Sequence, residues 1–183
     1  MNVIDESRLL QDKLVGIRRD LHRIPEIGFT LPKTRKYIMD RLDAMGIEFP
    51  LNEEDSGLIA YINKRKPGKI IAFRTDMDAL PIAEETGTAF TSEHEGMAAF
   101  AADSAAKVVG SEKVLTQMKH PLMGSDDFSC YLEEAPGAYL FLSSSNPEKG
   151  TDIDHHSCRF NIDEDVLWEG TAVFSQIAEA FPA

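Results

Sequence analysis

A chain of 183 residues, 43% hydrophobic and 27% charged, fits one globular domain able to bury a sizeable core. Its formal charge of −12 argues against a phosphate-backbone partner, and no run of Lys and Arg offers the basic stripe that nucleic acid needs. No apolar run approaches a membrane span, Met1 to Leu10 lack the pattern of a secretory leader, and Cys130 and Cys158 make no disulfide framework, so small-molecule partners and a reducing cytoplasm are the expectation.

In chain order, Ser7 to His22 places Leu10, Leu14, Ile17 and Leu21 at spacings of four, three and four, the stripe of an amphipathic helix. Ile24-Pro25-Glu26-Ile27-Gly28 ends it, since proline restricts the residue before it and glycine relaxes the backbone after it. A second helix is predicted from near Pro32, burying Ile38, Leu42 and Met45 and stopping at Gly46. Leu58 to Ile62 and Ile70 to Phe73 read as a pair of strands, joined as a hairpin by the basic loop Asn63 to Lys69 with its Pro67-Gly68 turn. Six alanines between Met97 and Val109 predict a small-residue helix closed by Gly110. Ser125 can cap a further helix, with Asp126 and Asp127 at its positive end, running to Pro136-Gly137. Ala138 to Leu142 reads as a strand. In the last helix Asp163 is the cap, Glu164 and Asp165 fill the first turn, and Leu167, Phe174, Ile177 and Phe181 form the buried stripe. Interspersed strands and helices predict a layered α/β domain with a mixed β-sheet.

One stretch stands out for chemistry. Ile70 to Phe73 runs into Arg74-Thr75-Asp76-Met77-Asp78-Ala79-Leu80-Pro81, with two acids one residue apart where a strand would end. In a helix-flanked sheet, ligands meet the carboxyl ends of strands, and alternate residues of an extended segment share a direction. Asp76 and Asp78 then suit metal binding or general-base work. The plainer reading makes them solvated turn residues.

Four blocks carry a resemblance. Arg18-Arg19-Asp20-Leu21-His22-Arg23-Ile24-Pro25-Glu26-Ile27-Gly28, Phe73 to Ile82 with Glu84-Glu85-Thr86-Gly87, Met123-Gly124-Ser125-Asp126-Asp127-Phe128-Ser129, and His155-His156-Ser157-Cys158-Arg159-Phe160-Asn161-Ile162-Asp163-Glu164-Asp165 occur in that order. Together they resemble the metal-dependent N-acyl-amino-acid amidohydrolases, a group that includes hippurate hydrolases, aminoacylase-like enzymes, N-acetyldiaminopimelate deacetylases and auxin-conjugate hydrolases. The resemblance implies a zinc-peptidase-like catalytic domain, hydrolysis of the amide bond of N-acyl amino acids, and a divalent metal (Zn, Mn, Co or Ni).

The departure from the family is as informative as the match. Family members are longer, and between Gly96 and the alanine-rich helix they carry a His-Ala-Cys-Gly-His-Asp metal motif, a Glu-Glu pair supplying the general base, and an inserted lid domain. Here Gly96-Met97-Ala98-Ala99 stands where the first motif would begin. The chain reads as one truncated catalytic domain, an N-terminal half over 1–96 joined directly to a C-terminal half over 97–183.

Amide hydrolysis at a metal centre needs a cation to polarise the carbonyl and acidify water, and a carboxylate to take the proton. Of the family's metal ligands, the resemblance leaves only the C-terminal histidine, placed at His156 with His155 as the alternative. Read without the resemblance, His156 is a surface histidine in an Asp-rich loop. Asp78 matches the acid that orients the active-site shell, while Asp76 reads as a structural acid bonding loop amides. His22 and Glu26 read as a helix end tied to its loop. Ser125, Asp126 and Asp127 lie on a loop that the family places near the cleft, or are simply a helix cap. Since even a minimal catalytic site uses about three protein ligands, weak or absent metal binding is expected. Loss of the central segment should also remove a strand and a helix, leaving an exposed sheet edge for self-association.

Overall fold

Helices carry the structure of the described residues. A computed structural model describes residues 2–50, 57–63, 66–78, 95–116, 128–155, 157 and 159–181. Their α-helices are α1 (Val3–Leu9), α2 (Gln11–His22), α3 (Pro32–Ala44), α4 (Glu95–Val109), α5 (Phe128–Glu134) and α6 (Leu167–Ala180). The chain divides into two compact units, Met1–Asp12 with Ala83–Phe181, and Lys13–Ile82 with Pro182–Ala183.

In the first unit, α6 packs against both α1 and α4. Helix α4 buries Ala101, Ser104 and Ala105, a spacing of three and four that keeps one face turned inward, and α6 buries Ala172 and Ile177. Small side chains at such a seam let helix backbones approach closely. Phe100 meets Phe181 edge-on at 6.2 Å, adding an aromatic contact at the end of α6. The expected helix from Ser7 to His22 is interrupted at Leu10, and Asn2 caps the new start by accepting from the Asp5 amide at 2.9 Å. Beside that break the Gln11 side chain donates to the Glu164 carbonyl at 2.7 Å and accepts from the Trp168 amide at 3.2 Å. Arg8 stacks over the Trp168 ring, 4.6 Å from its centroid.

In the second unit α3 runs from Pro32, as its sequence predicts, and ends before Gly46, which takes φ +67°. Ile38 and Leu42 are half-buried, whereas Met45, expected inside, is exposed. Asp20 on α2 accepts from Tyr37 Oη at 2.8 Å, and Arg41 donates to that hydroxyl at 2.6 Å while stacking on its ring. Glu26 accepts from the backbone amides of Lys33 and Thr34 at 3.2 and 2.8 Å. It thus supplies the N-terminal cap that Leu31 cannot.

The layered α/β domain with a mixed β-sheet does not form among the described residues. Their β pairing is the single antiparallel bridge between Glu48 and Tyr61, with the Tyr61 amide donating to the Glu48 carbonyl at 2.8 Å. Leu58 to Ile62, Ile70 to Phe73 and Ala138 to Leu142 have strand composition but make no ladder. The physical reason is that β propensity expresses packing against neighbouring strands more than backbone preference, and an isolated pair is marginal in water. The segment Ala138 to Leu142 is instead held by side chains: Tyr139 meets Phe128 edge-on at 5.4 Å, and its ring lies tilted against that of Phe141 at 4.8 Å. Leu142 comes close enough to α6 that a Cβ on Gly170 would sit 3.1 Å from its Cδ2.

Candidate functional site

The residues singled out for chemistry fall in both units. In the second unit, residues 71–78 are irregular, so the strand end expected to present Asp76 and Asp78 is absent. Asp76 pairs with the Arg74 guanidinium at 2.8 Å, with more than half of its side chain exposed. That is an ion pair with a neighbouring side chain in place of the expected bonds to loop amides. Asp78 is exposed. The rest of that block, from Ala79 to Gly87, lies outside the described residues.

Glu26 ties its loop to the start of α3 rather than to the end of α2. Burial pushes its carboxyl pKa up, but the amides of Thr34 and Lys33, the Thr34 hydroxyl and the Lys33 charge outweigh that and hold it below its ordinary value.

In the first unit, the C-terminal block forms a loop leading into α6. His155 is exposed and its ring meets Phe160 edge-on at 4.7 Å. A turn follows, with the Phe160 amide donating to the Ser157 carbonyl at 3.0 Å and the Arg159 amide to Ser157 Oγ at 3.2 Å. His156 and Cys158 lie outside the described residues, as do Ser125, Asp126 and Asp127.

The base of this loop is a polar knot that the sequence signals only in part. Asp163 is legible as a cap, and it does accept from the Asp165 amide at 3.1 Å. Its buried carboxylate also accepts from Asn146 Nδ2 and from Lys149 Nζ, each at 2.7 Å. Lys149 bonds Asp165 as well. Buried Thr151 accepts from the Asn146 amide at 3.0 Å and donates to the Ser144 carbonyl at 3.1 Å, and that carbonyl also accepts the Asp163 amide at 3.0 Å. Lys149 and then Asn146 draw the Asp163 carboxyl down to about 2 against the opposing effect of burial, and Asp163 in turn raises the Lys149 ammonium above its ordinary value. The available signal is the turn chemistry of Asn146-Pro147-Glu148-Lys149-Gly150: the Asn146 side chain accepts from the Glu148 amide, and Gly150 takes φ +65°. What the sequence does not show is that Asp163 closes the turn.

Among the described residues, no three His, Cys, Asp or Glu side chains gather closely enough to hold a metal ion. The described residues therefore do not fit a dication centre, and no catalytic step can be derived from them through one.

Comparison with known proteins fixes the lineage. Residues 86–180 match the model of the peptidase family M20/M25/M40. The chain belongs to that family. Its members are metal-dependent amidohydrolases, generally requiring divalent cations, in agreement with the resemblance carried by the two C-terminal blocks, which lie within the match. The chain is also 42% identical over 88 residues to an N-acetyldiaminopimelate deacetylase of Halalkalibacterium halodurans. That match covers 48% of the chain and 24% of the relative's length. No solved structure matches. Among the described residues, no helix is long and apolar enough to cross a membrane.

Proposed function

We propose that the chemistry to which this M20 chain is related is hydrolysis of the amide bond of N-acyl amino acids, with His156, or His155 beside it, as the inherited metal-ligand position and Asp78 as the inherited acid of the active-site shell. The observation that carries this reading is the family match over residues 86–180, which includes both histidines, supported by the identity to a deacetylase whose name specifies an N-acetylated substrate; Asp78 precedes the match and rests on the resemblance of its own block. Zinc, manganese, cobalt or nickel would be the cation in the parent reaction.

A second reading, that this polypeptide is a catalytically silent scaffold of the family, is favoured by one structural feature. Helix α4 runs without a break from Glu95 to Val109. It spans Gly96-Met97-Ala98-Ala99, where the resemblance places the start of the family's metal motif. Those four residues offer no carboxylate, imidazole or thiolate, the side chains that ligate a catalytic dication.

An assay of the chain on N-acetyl- and N-benzoyl-amino acids, with added manganese, cobalt or zinc and a full-length relative as control, separates the two. Turnover by the chain that depends on added metal supports an active hydrolase. Turnover by the control alone supports the scaffold.

A further inference from the structure

We infer that Asp163 is a positioning residue: with Asn146 and Lys149 it fixes two arms of the loop leading into α6, residues 151–155 and 160–163, and so keeps the His155 imidazole against Phe160. The consequence for chemistry rests on the inherited ligand position proposed above at His156 or His155. The placement itself rests on the polar knot.

Convergent bonds fix the arms at one end. The Ser144 carbonyl accepts from both of them, from Thr151 Oγ1 at 3.1 Å and from the Asp163 amide at 3.0 Å. The Thr151 amide donates to the Asn146 carbonyl at 3.0 Å, and Asn146 Nδ2 crosses to Asp163 Oδ2 at 2.7 Å. The other carboxylate oxygen, Oδ1, accepts from Lys149 Nζ at 2.7 Å and from the Asp165 amide at 3.1 Å. Thr151 and Asp163 are both buried, so water competes little for these bonds.

Further along the arms, the ring of His155 meets that of Phe160 edge-on, with centroids 4.7 Å apart and both side chains exposed. An exposed ring pair is a weak contact beside the freedom of two loose arms, whereas hydrogen bonds from an ammonium and an amide to a buried carboxylate are strong. The base of the arms therefore decides where the rings lie. A ligating imidazole needs such orientation from the groups around it. Capping alone explains only part of Asp163, because the cap uses Oδ1 and the Asp165 amide. Serine caps about as well as aspartate, but with one oxygen and no charge it gives up the bridge to Asn146 and Lys149.

Proton–carbon correlation spectra of the imidazoles, taken on the full chain in EDTA, test this. H155Q identifies the His155 signal, and F160L gives its position without the Phe160 ring current. The expected result is a displaced His155 signal in the unaltered chain, with the displacement cut by about half or more in D163S and in K149M. K149R, which keeps a cation for Asp163, should restore it, with the His22 signal and far-UV circular dichroism unchanged throughout. A His155 signal in the same place with and without the Phe160 ring overturns the inference. So does one that stays displaced in both D163S and K149M, or that is lost in K149R as fully as in K149M. K149M leaves the cap in place and decides the matter if D163S does not fold; loss of its helices too would mean that the knot holds the whole unit rather than the arms, which also overturns the inference. Neither metal nor substrate enters the measurement, so a chain inactive on N-acyl amino acids leaves its outcome standing, and a lost ring contact leaves the proposed parent chemistry standing.

Discussion

Asp163 shows how much one side chain can do in this chain. It caps the turn leading into α6, accepts from Asn146 and Lys149, and so joins both ends of the loop that carries His155. Because its folded pKa lies below the unfolded value of 3.8, the stabilisation is fully present above that value and is lost as pH falls towards about 2. Lys149 works in the opposite sense: its raised pKa stabilises fully below 10.5 and the contribution is lost as pH climbs through the folded value. Asp163→Asn should therefore lower the urea midpoint near neutral pH and flatten the loss of stability between about pH 4 and about pH 2. An unchanged acid limb in the variant would show that the carboxylate is not the group responsible. Gly110 gives a second test at this scale. It closes α4 at φ +91°, a conformation that side chains with a Cβ rarely adopt, so Gly110→Ala should cost about 1 kcal/mol or more in urea unfolding.

The helices are legible where apolar spacing and end signals agree. Pro32 and Gly46 bracket α3, Gly110 closes α4, and Asp163 sits at the cap ahead of α6, all as the sequence indicates. The buried stripe of α6 is less legible, because Phe174 is exposed while Ala172, a residue without a strong hydrophobic signal, is wholly buried. The helix seam is filled by small residues. Ala172→Leu should overpack it and destabilise by about 1 to 3 kcal/mol, whereas exposed Phe174→Ala should cost well below that, both measured by chemical denaturation. Equal losses at the two positions would mean that α6 does not pack as described. The expected strands are missing for a different reason. Leu58 to Ile62, Ile70 to Phe73 and Ala138 to Leu142 have the right residues, but a strand is completed by a neighbour, and neighbours are not written in the segment itself. The interruption at Leu10 is also invisible in the local sequence, since Gln11 reaches residues 153 and 157 positions away.

At the scale of the whole molecule, kinship is the most legible property and catalytic competence the least. The blocks around His22, Asp78, Ser125 and His155 point to the family on their residues alone, and the match over residues 86–180 covers the two C-terminal ones, around Ser125 and His155. The sheet expected with it is not seen among the described residues, and neither is the exposed sheet edge expected to follow from the missing central segment. Gly96-Met97-Ala98-Ala99, where the resemblance places the start of the family's metal motif, carries no His, Cys, Asp or Glu, and among the described residues no three such side chains gather closely enough to hold a metal ion. Both features point to a chain that holds no catalytic dication tightly. Equilibrium dialysis of the purified chain against zinc or manganese, followed by elemental analysis, tests this most directly. Well under one equivalent retained per chain after buffer exchange is the predicted result, and one or two equivalents tightly held would contradict it.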